Sequence, residues 1–147
     1  MKIRCINNTG LSLRPYELEA ITKKEVFGRF GVSEMTEYEI EINKEYIVMG
    51  LIIFKTYQAY LIDDKEFIST YPCQLFELTD SKLNKDWHYR ITGNDEEIYP
   101  FVQAIFGYSE LCNDKQAYQN LLIEMDADAQ QNYFKRKAEF EKEIISI

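Results

Sequence analysis

The sequence predicts an α+β fold: a bent, mainly antiparallel sheet, open or closed into a barrel, followed by C-terminal helices. Three observations predict it. Residues 1–92 are rich in Ile, Val, Tyr and Phe and change polarity over short periods, as half-buried strands do. Within them, four or five strand-like runs follow one another without a long helix between, which favours antiparallel pairing. Residues 110–145 are rich in Ala, Gln, Glu and Lys, with apolar side chains three and four apart. At 147 residues the chain fits one domain, β-rich over 1–92 and helical over 110–145.

Residues 2–6 alternate as a short strand that Asn7-Asn8-Thr9-Gly10 ends with turn chemistry. Pro15 suits an early helical position, so a helix is expected over 14–18. Strand-like texture resumes at 26–31, where Gly28 and Gly31 permit a bend. Tyr38-Glu39-Ile40-Glu41-Ile42 has period two, predicting a strand with Ile40 and Ile42 inward. The apolar runs 46–54 (YIVMGLIIF) and 59–62 (AYLI) suit two central strands of a hairpin. Asp63-Asp64-Lys65-Glu66 reads as a charged turn, 67–71 as a strand that Pro72 stops, and 87–91 as a further strand. The segment 101–106, between Pro100 and Gly107, is ambiguous. Asp114 is a candidate N-cap, and Ala117, Tyr118, Leu121, Leu122, Met125 and Ala129 share one helical face. Asp126-Ala127-Asp128 can break that helix, giving two C-terminal helices or one kinked helix.

Composition narrows the function. Hydrophobic residues make up 46% and aromatics 14%, enough to build a core rather than a disordered chain. Seventeen Lys and Arg against 25 Asp and Glu give a net charge of −8. Up to residue 75 nine basic side chains meet eleven acidic ones, and beyond it eight meet fourteen, so most of the excess lies in the second half. Such a chain repels a phosphate backbone, so nucleic acid is not the expected partner and a basic protein is. The longest apolar run, nine residues, is short of the roughly 20 that span a bilayer, and no export signal precedes it. Cys5, Cys73 and Cys112 are odd in number and widely spaced, which argues against a disulfide framework or zinc site and for a reducing cytoplasm.

Catalytic signatures are absent from the sequence. His88 is the single histidine and has no adjacent nucleophile. Asp63-Asp64, Asp95-Glu96-Glu97 and Asp126-x-Asp128 could hold Mg²⁺ or share a proton, but solvated turns and caps account for them. Gly28-Arg29-Phe30-Gly31 matches neither phosphate-binding glycine pattern. The tyrosines lack the basic groove that base stacking requires. Lys135-Arg136-Lys137 lies at helical spacing from Glu139, Glu141 and Glu143, which points to intrahelical ion pairs rather than a membrane-binding face. No catalytic residue, metal or cofactor is expected.

One stretch carries a pattern. Tyr46-Ile47-Val48, then Tyr60-Leu61-Ile62-Asp63-Asp64, then Tyr71-Pro72-Cys73-Gln74-Leu75-Phe76-Glu77-Leu78-Thr79-Asp80 and Leu83, closing on Trp87, resemble small bacterial immunity proteins of polymorphic or contact-dependent toxin systems. Its residues describe architecture: Pro72 stops a strand, Leu75 and Phe76 plug the core through a tight turn, and Trp87 covers it. The resemblance implies a protein that binds a cognate toxin and occludes it. Many such toxins are enzymes with basic surfaces, toward which an acidic inhibitor is steered.

The expected partner-binding surface combines the acidic turns Asp63, Asp64 and Glu66 and Asp95, Glu96 and Glu97 with Tyr57 and Tyr99 as aromatic anchors. Two other readings stay open: an adaptor or accessory protein of a phage or mobile element, and an enzyme whose carboxylates work with a metal.

Overall fold

A computed structural model describes residues 1–19 and 27–145. The fold is α+β; the described residues form eight strands in two antiparallel sheets, with no closed barrel among them. The small sheet has the order β2-β1-β6, from Glu45–Ile47, Lys2–Cys5 and Phe76–Asp80. The large sheet has the order β5-β4-β3-β8-β7, from Phe67–Pro72, Gln58–Asp64, Gly50–Phe54, Val102–Gly107 and His88–Ile91. Helices α1 (Ser109–Asn113), α2 (Ala117–Leu122) and α3 (Ala127–Ile145) follow.

Strand β4 is apolar throughout its centre because it is covered twice. Leu61 belongs to the core between the large sheet and the helices, with Ile52, Ile105, Leu111 and Tyr133. Its neighbour Ile62 points the other way, into the core shared with the small sheet, among Ile3, Tyr46, Tyr71 and Phe76. Trp87 packs against both cores. Where α1 meets the sheet, Gly50 pairs with Gly107. A methyl group on Gly107 would stand 2.8 Å from Leu111 Cδ2, so glycine is what lets the helix settle there.

Several expectations are corrected. The run 46–54 is not one strand: it breaks at Val48 and Met49, both buried, so that β2 enters the small sheet and β3 the large one. Met49 N–H donates to Leu61 C=O at 2.8 Å, which satisfies the backbone at the corner. The alternating segment 38–42 is not a strand either. It is strapped across the core by Tyr38 N–H to Asn8 C=O (2.8 Å) and Asn8 Nδ2 to Ile40 C=O (3.0 Å), which bury Ile40 but leave Ile42 52% exposed. The helix expected over 14–18 is a 3-10 turn at Leu11–Tyr16, and Gly28–Phe30 is another. Val26 lies outside the described residues.

In the third part, the ambiguous 101–106 segment forms β8. Among the described residues the helical span 110–145 divides into α1, α2 and α3, where two helices or one kinked helix were expected. Asp114 accepts from Gln116 N–H at 2.9 Å just ahead of α2, and Asp126 accepts from Ala129 N–H at 3.0 Å at the start of α3. Met125, expected on the apolar stripe, falls between the two helices and is exposed.

Candidate functional site

The first predicted acidic turn is not a turn at its acidic end. Asp63 and Asp64 are the last residues of β4, and only Lys65 and Glu66 make the connection to β5, both at positive φ. Because adjacent strand residues point to opposite faces, the two carboxylates enter different layers. Asp63 accepts Tyr133 Oη–H and Lys137 Nζ–H from α3, each at 2.9 Å. Asp64 accepts Tyr46 Oη–H at 2.7 Å and Lys44 Nζ–H at 2.5 Å, which tie β4 to the small sheet. Their side chains are 8% and 5% exposed. Burial works against the Asp64 charge, but the hydrogen bonds from Lys44 and Tyr46 hold its carboxyl below the ordinary aspartate range. The same contact raises the Lys44 ammonium. These two acids are structural clamps, withdrawn from the proposed surface.

The basic triplet serves the same architecture. Lys137 goes to Asp63, and Arg136 pairs with Glu110 of α1 at 2.6 Å as well as with Glu139 at 3.0 Å. The expectation of purely intrahelical pairing therefore gives way to tertiary pairs that pin α3 down.

The second acidic cluster lies in the loop between β7 and β8, and its three acids divide. Glu96 is spent internally: it pairs with Arg90 and accepts Gly93 N–H at 2.6 Å, with only 6% of its side chain exposed. Asp95 is exposed, and Lys115 at 3.3 Å holds its carboxyl below the ordinary range. Glu97 is exposed. The loop is stapled by Tyr99 N–H to Glu96 C=O (3.1 Å), Val102 N–H to Ile98 C=O (3.0 Å) and Gln103 Nε2 to Pro100 C=O (3.1 Å). A loop so held presents its side chains in fixed places.

What it presents is a groove. An open cavity of about 370 Å³ is lined by Phe54, Glu97, Ile98, Phe101, Val102, Tyr118, Gln119 and Ile123. Phe101 is 73% exposed and Ile123 64%. Tyr118 closes the floor, and burial pushes its phenol up to about 12. Such a surface offers apolar anchors beside an acid. Exposed Tyr99 belongs to the same loop, whereas Tyr57 is half-buried between Phe54 and Phe30, at centroid distances of 4.9 and 5.4 Å, and burial raises its phenol. Glu66 remains exposed at its hairpin tip.

Phe101 and Ile123 were not among the predicted site residues. Ile123 carried a legible signal, since it stands off the stripe of Tyr118 and Leu121 that α2 buries. Phe101 carried none, because its segment could not be assigned from sequence.

The chemistry elsewhere is spare. Among the described residues, no cluster of three or more His, Cys, Asp and Glu could hold a metal ion. His88 is exposed on β7, and its Nδ1 lies 2.9 Å from Asp86 C=O. Cys112 is buried with its Sγ 3.2 Å from His88 C=O, and burial raises its thiol. A second cavity, between α3 and the small sheet beside Ile47, Val48 and Phe140, holds about 110 Å³, below the span of small-molecule sites. No described helix is long and apolar enough to cross a membrane. Comparison with family models, with curated proteins and with solved structures returned no match.

Proposed function

We propose that this chain is an acidic binding protein that neutralises a cognate, basic protein toxin by stoichiometric occlusion in a reducing cytoplasm. The observation that supports this reading is the groove with exposed Phe101 and Ile123 beside Glu97, mounted on a stapled loop. Interfaces take most of their energy from a few apolar anchors and their association rate from charge, and this surface supplies both. The net charge of −8 steers a basic partner toward it. The three cysteines, Cys5 and Cys112 buried and Cys73 partly so, form no disulfide and suit a reducing compartment. The likeness of residues 46–87 to immunity proteins accords with the same role.

The test is to sequence the flanking genes and co-express the chain with a toxin-like product found there. Growth is expected to be restored by the wild-type chain and lost again with Phe101→Asp, while the purified variant keeps its fold. Failure of the wild-type chain to restore growth, or turnover of a substrate by the purified chain alone, removes the reading.

A further inference from the structure

We propose that β7 is a docking edge at which an extended, basic segment of a protein partner joins the large sheet as a sixth strand; the proposal rests on the reading of the chain as a binding protein and names its mode of contact. Strand β7 is the last of its sheet, and among the described residues no strand pairs with its outer side. Thr92 N–H donates to Gln103 C=O at 3.0 Å, in line with the register Ile91 to Ala104 and Arg90 to Ile105. Antiparallel pairing alternates, so His88 and Arg90 turn their backbone groups toward β8, and Tyr89 and Ile91 turn theirs outward. These two residues also carry exposed side chains, 53% for Tyr89 and 69% for Ile91. Tyr89 lies against Phe106 at 4.5 Å between centroids, extending the apolar face inward.

Other edges carry the devices that block strand addition. Strand β6 sets Glu77 against Arg4, and β5 ends in Pro72. Strand β7 has no lysine and no proline, and its one cation, Arg90, is neutralised by Glu96. Exposed acids flank it in sequence, Asp86 before and Glu97 after. An incoming strand is therefore matched by apolar side chains beside Tyr89 and Ile91 and by Lys or Arg toward its ends. A second copy of the chain would set the same acids against one another, which selects a basic segment of a different protein.

The test uses the isotope-labelled full chain and the peptide Lys-Val-Lys-Val-Lys-Val-Lys, followed by amide hydrogen exchange. Exchange at Tyr89 and Ile91 is expected to slow about tenfold with this peptide and to stay unchanged with Glu-Val-Glu-Val-Glu-Val-Glu. Ile91→Pro, which deletes one outward N–H, is expected to abolish protection at Tyr89. Ile91→Lys, which keeps the whole backbone, is expected to do the same by charge. No protection at these amides, equal protection by the acidic peptide, or protection that grows with protein concentration alone overturns the proposal. Growth restored equally by Ile91→Pro and wild type removes the edge while leaving toxin neutralisation standing; protection without growth rescue does the reverse.

Discussion

Two acidic segments that look alike in sequence behave differently in the fold. At 63–66 two of the three acids are buried at the end of a strand, each holding a tyrosine hydroxyl and a lysine from another layer. At 95–97 one acid is spent on Arg90, Asp95 pairs with Lys115 in solvent, and Glu97 faces solvent on the rim of an apolar groove. The difference follows from where the carboxylate emerges. On a central strand it must find partners or lose its hydration uncompensated; on a loop it stays in water and is free for a partner. A run of acids thus identifies a binding surface only when the backbone beneath it leaves the sheet.

That contrast breaks most visibly in stability. Replacing both Asp63 and Asp64 by Ala removes the acceptors of two tyrosine hydroxyls and two lysines, and is expected to lower unfolding free energy by about 3 kcal/mol, with the half-exposed Lys44, which keeps Glu41 at 3.2 Å, limiting the loss. Urea midpoints measure it, and the same double change at Asp95 and Glu97 is expected to stay within about 0.5 kcal/mol. The Asp64 clamp also has a pH window. Its folded pKa is depressed, so its stabilisation is full above the unfolded value of about 4 and is lost as pH falls through the folded value. Asp64→Asn should flatten the acid limb of the stability curve.

Binding should divide the other way. Phe101→Ala is expected to weaken a partner by at least tenfold, about 1.4 kcal/mol, with little change in urea midpoint, because the ring is mostly in solvent. The hairpin tip offers a smaller, purely structural effect. Lys65 and Glu66 sit at φ of 51° and 67°, so replacing them with Asn and Gly should stabilise the fold by about 1 kcal/mol. Glu97→Lys should show the smallest change, a slower association whose dependence on salt is weaker, read by stopped flow.

How much of this was legible in sequence depended on the range of the forces involved. The apolar runs of β3 and β4 and the stripes of α2 and α3 were legible because burial imposes a local period. Residues 38–42 had the period of a strand, but among the described residues no strand pairs with them, and one backbone and one side-chain bond to Asn8 hold them instead. The break at Val48 was hidden because both halves of the run are apolar on both faces. The fate of Asp63 and Asp64 was illegible for a plainer reason. Their partners lie 18 to 74 residues away in the chain, and nothing local distinguishes a clamped carboxylate from a solvated one. Glu97 and Tyr99 were named from sequence and share the loop between β7 and β8, but the groove that Glu97 lines also takes Phe101 and Ile123, brought together from β8's approach and the end of α2, which no local pattern joins.

The central claim is that the chain acts by seating a basic protein on its acidic, apolar-lined surface. Calorimetric titration against a basic toxin-like protein found among the flanking gene products, at low and at high salt, tests that most directly. The account predicts a one-to-one complex that weakens as salt rises and weakens further with Phe101→Ala. Absence of a complex, or one whose strength ignores both salt and Phe101, contradicts it.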